Sequence, residues 1–510
     1  MITPIKKIVF IEPKSPGFHV FSKWGLPRLG TIILGTMLRN QGYDVKIFIE
    51  DIKGIDLEAI FEADAVGIST ITSTAPRAYE LANVIRKEGI PVFMGGAHVT
   101  FMDEEALDHC DFVFRGEAEE TILPFLEALK TGVGFENIRG LSYRAPGGTI
   151  VRNADVEHCP DLDRYPSPDF SLIHGNTDRK VDMSMTPVMM SRGCPFGCNF
   201  CSVTRIFGRG YRFRSVESVI TELKELKAEH VFFYDDNFTA NRAHTKKLLE
   251  RMIEEGIKTK WTAQVRVDVA KDEELLALMK KSGCFYVYIG LESANQRVLE
   301  AMDKGQTVED MEYAIKKIHN YGINIHGMFI FGTDQDNIST IRSTVKFAKR
   351  MKIASVQFMT LLPLPGTPVY ANMEKEGRLL TRDWSNYDGH VVVFKPKGMT
   401  YWELQKETLR AMLRFYSLRR ILGRLVKLDI YTMVIRAYGR KFVRKGKRAN
   451  KDLTKQLKHM YHQAGDSVCD AGEKLQTRAR KTSDELKESL KHINWERIRR
   501  AKAARLQGGK

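Results

Sequence analysis

The stretch SRGCPFGCNFC, residues 191–201, places Cys194, Cys198 and Cys201 in a C-x3-C-x2-C spacing. The other four cysteines of the 510-residue chain, Cys110, Cys159, Cys284 and Cys469, are scattered. Thiolates this close on one loop can converge on a single soft metal centre. A structural zinc ion would need a fourth Cys or His close by. The nearest histidines, His174 and His230, stand 20 and 29 residues off, and nothing pairs them with the loop. Three ligands with no evident fourth suit a 4Fe–4S cluster with one open iron. Gly193 and Gly197 would let the backbone fold tightly around it.

Such a loop must be held by the elements around it. From residue 187 the pattern predicts six strands: PVMMSRG, HVFFYDD, KWTAQVRVD, FYVYIGLES, HGMFIFGT and SVQFMTLLPLPGT, most of them followed by a helical pattern. Six β/α units predict a partial TIM-type barrel with its chemistry at the carboxyl ends of the strands. Residues 1–130 show the same alternation. KIVFIE, DVKIFI, AVGIS, PVFMGG and FVFRG read as strands, and 28–40, 77–87 and 119–129 as helices. This implies a parallel sheet covered on both faces, whose ligands bind beyond the carboxyl ends of the strands. Residues 131–185 read as a connector: YRAPGGTIV as a small hairpin, PDLDRYPSPD as extended chain. The expected fold class is α/β. A Rossmann-like domain covers 1–135, a connector 136–185, a partial (β/α)6 barrel 186–400, and a basic, mainly helical extension 401–510.

With its cysteine loop after the first barrel strand, the chain resembles the radical S-adenosylmethionine (SAM) enzymes. The resemblance implies that SAM chelates the open iron through its amino and carboxylate groups. One electron then cleaves SAM to a 5′-deoxyadenosyl radical. It also implies site residues. FFYDDNF (232–238) ends the second strand and offers Asp235 and Asp236 as acceptors for the SAM ammonium. IGLES (289–293) resembles the fourth-strand motif, with Glu292 and Ser293 near the SAM ribose. Arg266, in QVRVD, pairs with the SAM carboxylate, and Phe200 stands beside the adenine. Read alone, each is an ordinary cap on a barrel strand; in order behind the cysteine loop they read as functional. No side chain acting on the substrate is identified.

Residues 1–130 resemble the cobalamin-binding domain that precedes many such enzymes, through LPRLGTIILGTMLRNQGYDVKIF, GISTITST, GGAHVTF and VFRGEAEETI in order. The D-x-H-x-x-G motif of mutase-type domains, whose histidine binds cobalt, is absent, and His98 sits in a different pattern. The resemblance implies cobalamin with its lower face unligated by a protein histidine. Ser69, Thr70, Gly95 and Gly96 are the candidate contacts, because small residues let a flat corrin approach the strand ends. The plainer alternative is loop glycines and caps around an empty pocket.

The chain carries 79 Lys+Arg against 63 Asp+Glu, a net charge of +16. Residues 401–510 hold 29 of these bases and 11 of the acids, so the body is near neutral and the tail basic. Within 409–451, large apolar residues mix with Arg and Lys at helical spacing. That suits a helix packed partly on the barrel, lying on an anionic membrane surface, or touching nucleic acid. The size of the apolar residues favours the membrane. Residues 452–510 read as polar, helical in parts and loosely ordered. No apolar run reaches the ~18–20 residues of a membrane span, no signal peptide is evident, and the scattered cysteines do not form a disulfide framework. The expected location is the cytoplasm, peripheral on the inner membrane surface.

The expected function is cobalamin-dependent radical methylation of an unactivated carbon in a lipid, pigment or other metabolite. A flavodoxin- or ferredoxin-type donor supplies electrons. One rival is radical oxidative cyclisation or carbon–carbon bond formation without methyl transfer. Another is a non-catalytic iron–sulfur protein that binds nucleic acid. A tRNA methylthiotransferase is disfavoured: that family carries three further cluster cysteines in its N-terminal domain, where this chain has only Cys110 and Cys159.

Overall fold

The computed structural model describes residues 5–16, 26–176, 185–425, 430–449 and 477–498. The chain divides into two compact units. One holds residues up to 183 together with those from 476 onward; the other holds the residues between.

The first unit is built on seven strands: β1 (Lys7–Glu12), β2 (Asp44–Ile49), β3 (Ala65–Ser69), β4 (Val92–Gly95), β5 (Phe112–Phe114), β6 (Leu141–Arg144) and β7 (Ile150–Arg152). Their order is β2-β1-β3-β4-β5-β6-β7, and β1 to β5 run parallel. Ile8, Val9, Ala65, Val66, Val92 and Met94 are buried, as near-continuous apolar strands covered on both faces must be. Strand order reverses between β1 and β3, which opens a crevice at their carboxyl ends. The segment expected as a connector belongs to this unit. β6 pairs antiparallel with β5, β7 with β6, and Ile173 bridges to Ile47 of β2.

The second unit holds β8 (Thr186–Val188), a short pair β9 (Ser191–Arg192) and β10 (Arg212–Phe213), then β11 (His230–Phe233), β12 (Lys260–Val265), β13 (Cys284–Glu292), β14 (Asn324–Phe331) and β15 (Ser355–Thr360). Apart from β9 and β10 these form one six-stranded sheet in chain order, parallel throughout. Along β14, Ile325, Phe329 and Phe331 are buried, while His326, Met328 and Ile330 are half-buried. The period of two sends one set towards the covering helices and the other into the barrel interior. At the amino ends of these strands Tyr286 Oη lies 2.5 Å from Ser355 Oγ, which lies 2.7 Å from His326 Nδ1. Burial pushes the His326 imidazole down to about 4.

The basic extension is shared between the units. Helix Tyr401–Phe415 opens with a capping box, Thr400 with Glu403, and packs on β15 and helix Ile338–Arg350. Tyr416 Oη donates to the Val356 carbonyl at 2.7 Å and accepts from its N–H at 2.9 Å. Helix Ile430–Ala449 follows. Its inward face holds Arg436, 1% exposed, which donates to the carbonyls of Ile353 (3.0 Å) and Ala354 (3.3 Å). Its outward face carries the exposed Val434 and Tyr438, with Lys441 and Arg444. The inward face also buries Val443, so Arg436 sits among apolar packing while two large apolar side chains face outward among bases.

Residues 477–498, from the stretch expected to be helical in parts and otherwise loosely ordered, belong to the first unit. Helix Thr477–Lys491 lies against helix Ala75–Lys87, with Leu486 and, beyond the helix, Ile498 buried. Trp495 stacks on Phe61 with ring centroids 5.2 Å apart, and Arg497 pairs with Glu58 at 3.2 Å. The rest of the expected tail, 450–476 and 499–510, lies outside the described residues. Among the described residues no helix is long and apolar enough to cross a membrane.

Candidate active site

The cysteine loop leaves β8 and is closed at its base by the clip of β9 and β10, where Ser191 pairs with Phe213 and Arg192 with Arg212. Gly193 starts the loop at φ +91°, and a Cβ there would stand 2.3 Å from the Gly210 carbonyl oxygen. Only glycine fits. Gly197 differs from expectation: its φ is not in the left-handed region, and a Cβ there would stand 3.2 Å from the Arg209 guanidinium. Within the loop Cys201 N–H donates to the Cys198 carbonyl at 3.2 Å, and Asn199 Nδ2 to the Ala301 carbonyl at 2.8 Å. The three thiols are half-buried. Burial, and secondarily Asp236 and neighbouring cysteines, raises Cys194 and pushes Cys201 up to about 12. Among the described residues no three Cys, His, Asp or Glu side chains close around a single ion.

Around the loop stand the residues that the β11, β12 and β13 motifs predicted. Asp235 is fully buried and turned back on the chain, accepting from Met190 N–H at 3.2 Å and from the Ser191 hydroxyl. Burial pushes it to about 6. Asp236 is less buried. Burial and the neighbouring Asp235 push it to about 7. Arg266, 8% exposed, lies flat over the Phe196 ring at 3.7 Å. Its Nη2 donates to the Lys304 carbonyl at 2.6 Å and its Nη1 stands 3.9 Å from Cys198 Sγ. Glu292 ends β13 at φ +58°, where the register shifts, and its carboxylate meets Lys304 Nζ at 2.7 Å, both buried. Gly290 leaves room for this pair: a Cβ would stand 2.4 Å from Glu292 and 2.8 Å from Lys304. Phe200 lies 5.8 Å from Lys304 Nζ. Ser293 is buried and accepts from Asn295 N–H at 3.2 Å, capping the turn that follows.

Phe196, Lys304 and Gln306 escaped sequence reasoning. Gln306 Nε2 donates to the Gly290 and Leu291 carbonyls at 3.2 and 3.3 Å. The polar run DKGQT after helix Gln296–Ala301 was the available signal.

At the carboxyl ends of β3 and β4 two loops are clasped together. Thr70 N–H and Oγ1 both reach the Gly95 carbonyl, at 2.8 and 3.0 Å. Gly96 sits at φ +100°, where a Cβ would be 2.4 Å from the Thr70 carbonyl oxygen. Thr70 is fully buried. Ser69 and Gly95 are half-buried, and the Ser69 carbonyl accepts Arg28 Nη1 at 2.7 Å. Ile71 is exposed beside them. His98 is fully buried, its Nε2 3.6 Å from Glu105.

These residues fit an iron–sulfur cluster, SAM and cobalamin. Three thiols share one clipped loop. Arg266 Nε is buried without a hydrogen-bond acceptor, its nearest carboxylate being Asp268 at 3.9 Å, so an anion at that N–H would satisfy it. The β3 and β4 ends form a shelf of small residues, and His98 is buried in the domain below.

Fold and site together define a SAM-dependent iron–sulfur enzyme with a corrinoid domain. The Radical SAM superfamily profile matches residues 188–348 and the B12 binding domain profile residues 25–125. An uncharacterized methyltransferase of Pyrococcus horikoshii is 35% identical over 412 residues, 78% of this chain and 89% of that one. The bacteriochlorophyllide d C-12(1)-methyltransferase of Chlorobaculum tepidum is 27% identical over 82% of this chain and 89% of its own. The fold is that of the radical SAM methyltransferase TsrM from Kitasatospora setae, solved with cobalamin and a 4Fe–4S cluster bound: TM-score 0.61, 19% identity, 73% of this chain and 78% of that one. The chain belongs to the cobalamin-dependent branch of the radical SAM family. Its cofactors are a 4Fe–4S cluster, SAM and cobalamin, and its relatives support a methyltransferase.

Proposed function

We propose that this enzyme methylates an unactivated carbon of an apolar pigment, lipid or related metabolite. The three groups, when bound, supply a one-electron reductant, a source of radical and methyl, and a methyl carrier. In this reading Cys194, Cys198 and Cys201 hold the cluster. Asp236 accepts from the SAM ammonium while Asp235 fixes the backbone beneath it. Arg266 Nε–H takes the SAM carboxylate, and Glu292 and Phe200 border the ribose and adenine, with Ser293 shaping the turn behind them. Ser69, Thr70, Gly95 and Gly96 border the corrin. The observation that carries the reading is the clipped three-thiol loop ringed by Asp236, Arg266 and Glu292. Pigment methylation by the Chlorobaculum relative and the apolar Met328 and Ile330 of the barrel interior support an apolar substrate. A flavodoxin- or ferredoxin-type protein would supply the electron. The outward Val434 and Tyr438, set among 13 Lys and Arg and one Asp in residues 409–449, suit attachment to an anionic membrane from the cytoplasmic side.

The test is anaerobic reconstitution with iron, sulfide and hydroxocobalamin, then incubation with SAM, reductant and pigment or lipid extracts. Mass spectrometry should find 5′-deoxyadenosine and a product heavier by one methyl group, both absent when the three cysteines are replaced by alanine. Cleaved SAM with an oxidised or cyclised, unmethylated product would replace methylation with the cyclase chemistry.

A further inference from the structure

We propose that Arg266 is a positioning residue that raises the reduction potential of the cluster through a charged hydrogen bond to the Cys198 thiolate. The proposal rests on the cluster reading above. The Arg266 guanidinium is held on three sides. Its face lies on Phe196 at 3.7 Å, its Nη2 is bonded to the Lys304 carbonyl at 2.6 Å, and its Nη1 is within N–H···S reach of Cys198 at 3.9 Å. The Lys304 end is itself fixed, because its ammonium is paired with the buried Glu292 at 2.7 Å. The guanidinium cannot swing away without losing its stacking and a buried charged hydrogen bond.

Arginine suits this place in a way lysine does not. Its charge is permanent, its plane stacks on an aromatic ring, and its fork serves two acceptors at once. Three thiolates and a 4Fe–4S core carry one net negative charge when oxidised and two when reduced. A fixed cation at a ligand sulfur therefore stabilises the reduced form more, and the potential rises. With Arg266 only 8% exposed, solvent screens little of this. The remaining Nε–H is the group assigned above to the SAM carboxylate, so one side chain would touch both the electron acceptor and the molecule that the electron cleaves.

The experiment is an EPR-monitored redox titration of the reconstituted holoenzyme, with iron content measured for each protein: wild type, R266K, R266Q and F196L. R266Q should keep about four irons per chain. Its one-electron reduction equilibrium should shift about tenfold towards the oxidised cluster, which is about 59 mV. R266K keeps a charge but not the fork and should fall between; F196L should shift the same way by less. If R266Q fails to load iron, R266K and F196L carry the test. Loaded variants titrating at the wild-type potential would overturn the proposal and leave Arg266 a ligand of SAM alone, read as a loss of SAM affinity. A wild type that binds no four-iron cluster would instead sink the reading on which the proposal rests.

Discussion

Glu292 carries its carboxylate into a buried ion pair from a left-handed backbone, at φ +58°, that costs a non-glycine residue about 1–3 kcal/mol. Removing one partner of such a pair strands a buried charge, which costs about 3–5 kcal/mol. K304M should therefore lower the denaturant midpoint of the second unit strongly. The double variant E292Q/K304M should recover part of that loss, since no charge remains unpaired. His326 gives a pH signature. Its imidazole ordinarily titrates near 6.5 and in the folded protein near 4, because burial disfavours the cation. Between those values the unfolded chain binds more protons. Stability is complete above about 6.5 and is lost as pH falls towards 4, by about 3 kcal/mol. Urea unfolding of the apoprotein between pH 4 and 8 should show that slope, and H326Q should flatten it. At this scale the cysteine loop was legible, because three thiols share one local spacing. Phe196 and Lys304 were not: the contacts that give them roles reach across to Arg266 and Glu292, and the polar run DKGQT around Lys304 does not say which partner it meets.

The element that matters most to the cluster is a clip of two residues on each side. Gly193 makes it possible, so G193A must either adopt a strained φ or push Gly210 away. Iron content should fall well below four per chain while the unfolding free energy changes by no more than about 2 kcal/mol, a typical single-site effect. G197A, on ordinary backbone, should load iron normally. The parallel strands of both units were readable from apolar runs followed by helical periods, and all five of the first unit and six of the second appear. The β6–β7 hairpin was marked by YRAPGGTIV, but the clip, and the pairing of β6 onto β5, had no comparable signal. Antiparallel pieces of two to four residues are too short for a period, and their partners are set by tertiary pairing.

For the whole molecule, the charge asymmetry located the basic extension but did not reveal that it serves both units. Charge reports solvation and partners, not packing. The outward face of helix Ile430–Ala449 yields a prediction. Each base near an anionic bilayer contributes about 1 kcal/mol, and exposed apolar groups add insertion at the headgroup boundary. The protein should sediment with phosphatidylglycerol vesicles at low salt and less at high salt. V434D/Y438D should weaken that binding without lowering the unfolding free energy by more than about 1 kcal/mol, because both side chains are exposed. RNA binding in place of vesicle binding would reassign the face.

The return of residues 477–498 to the first unit has a consequence for how the chain is made. The first domain leaves the ribosome early, but the surface around Phe61 receives Trp495 and Leu486 only after the whole second domain has been translated. At about 5–20 residues per second that is a wait of roughly 15–60 s. A chain stopped before residue 477 would lack the ring that stacks on Phe61 and the Arg497 partner of Glu58. The first unit is therefore closed by residues made only after the second unit has been translated.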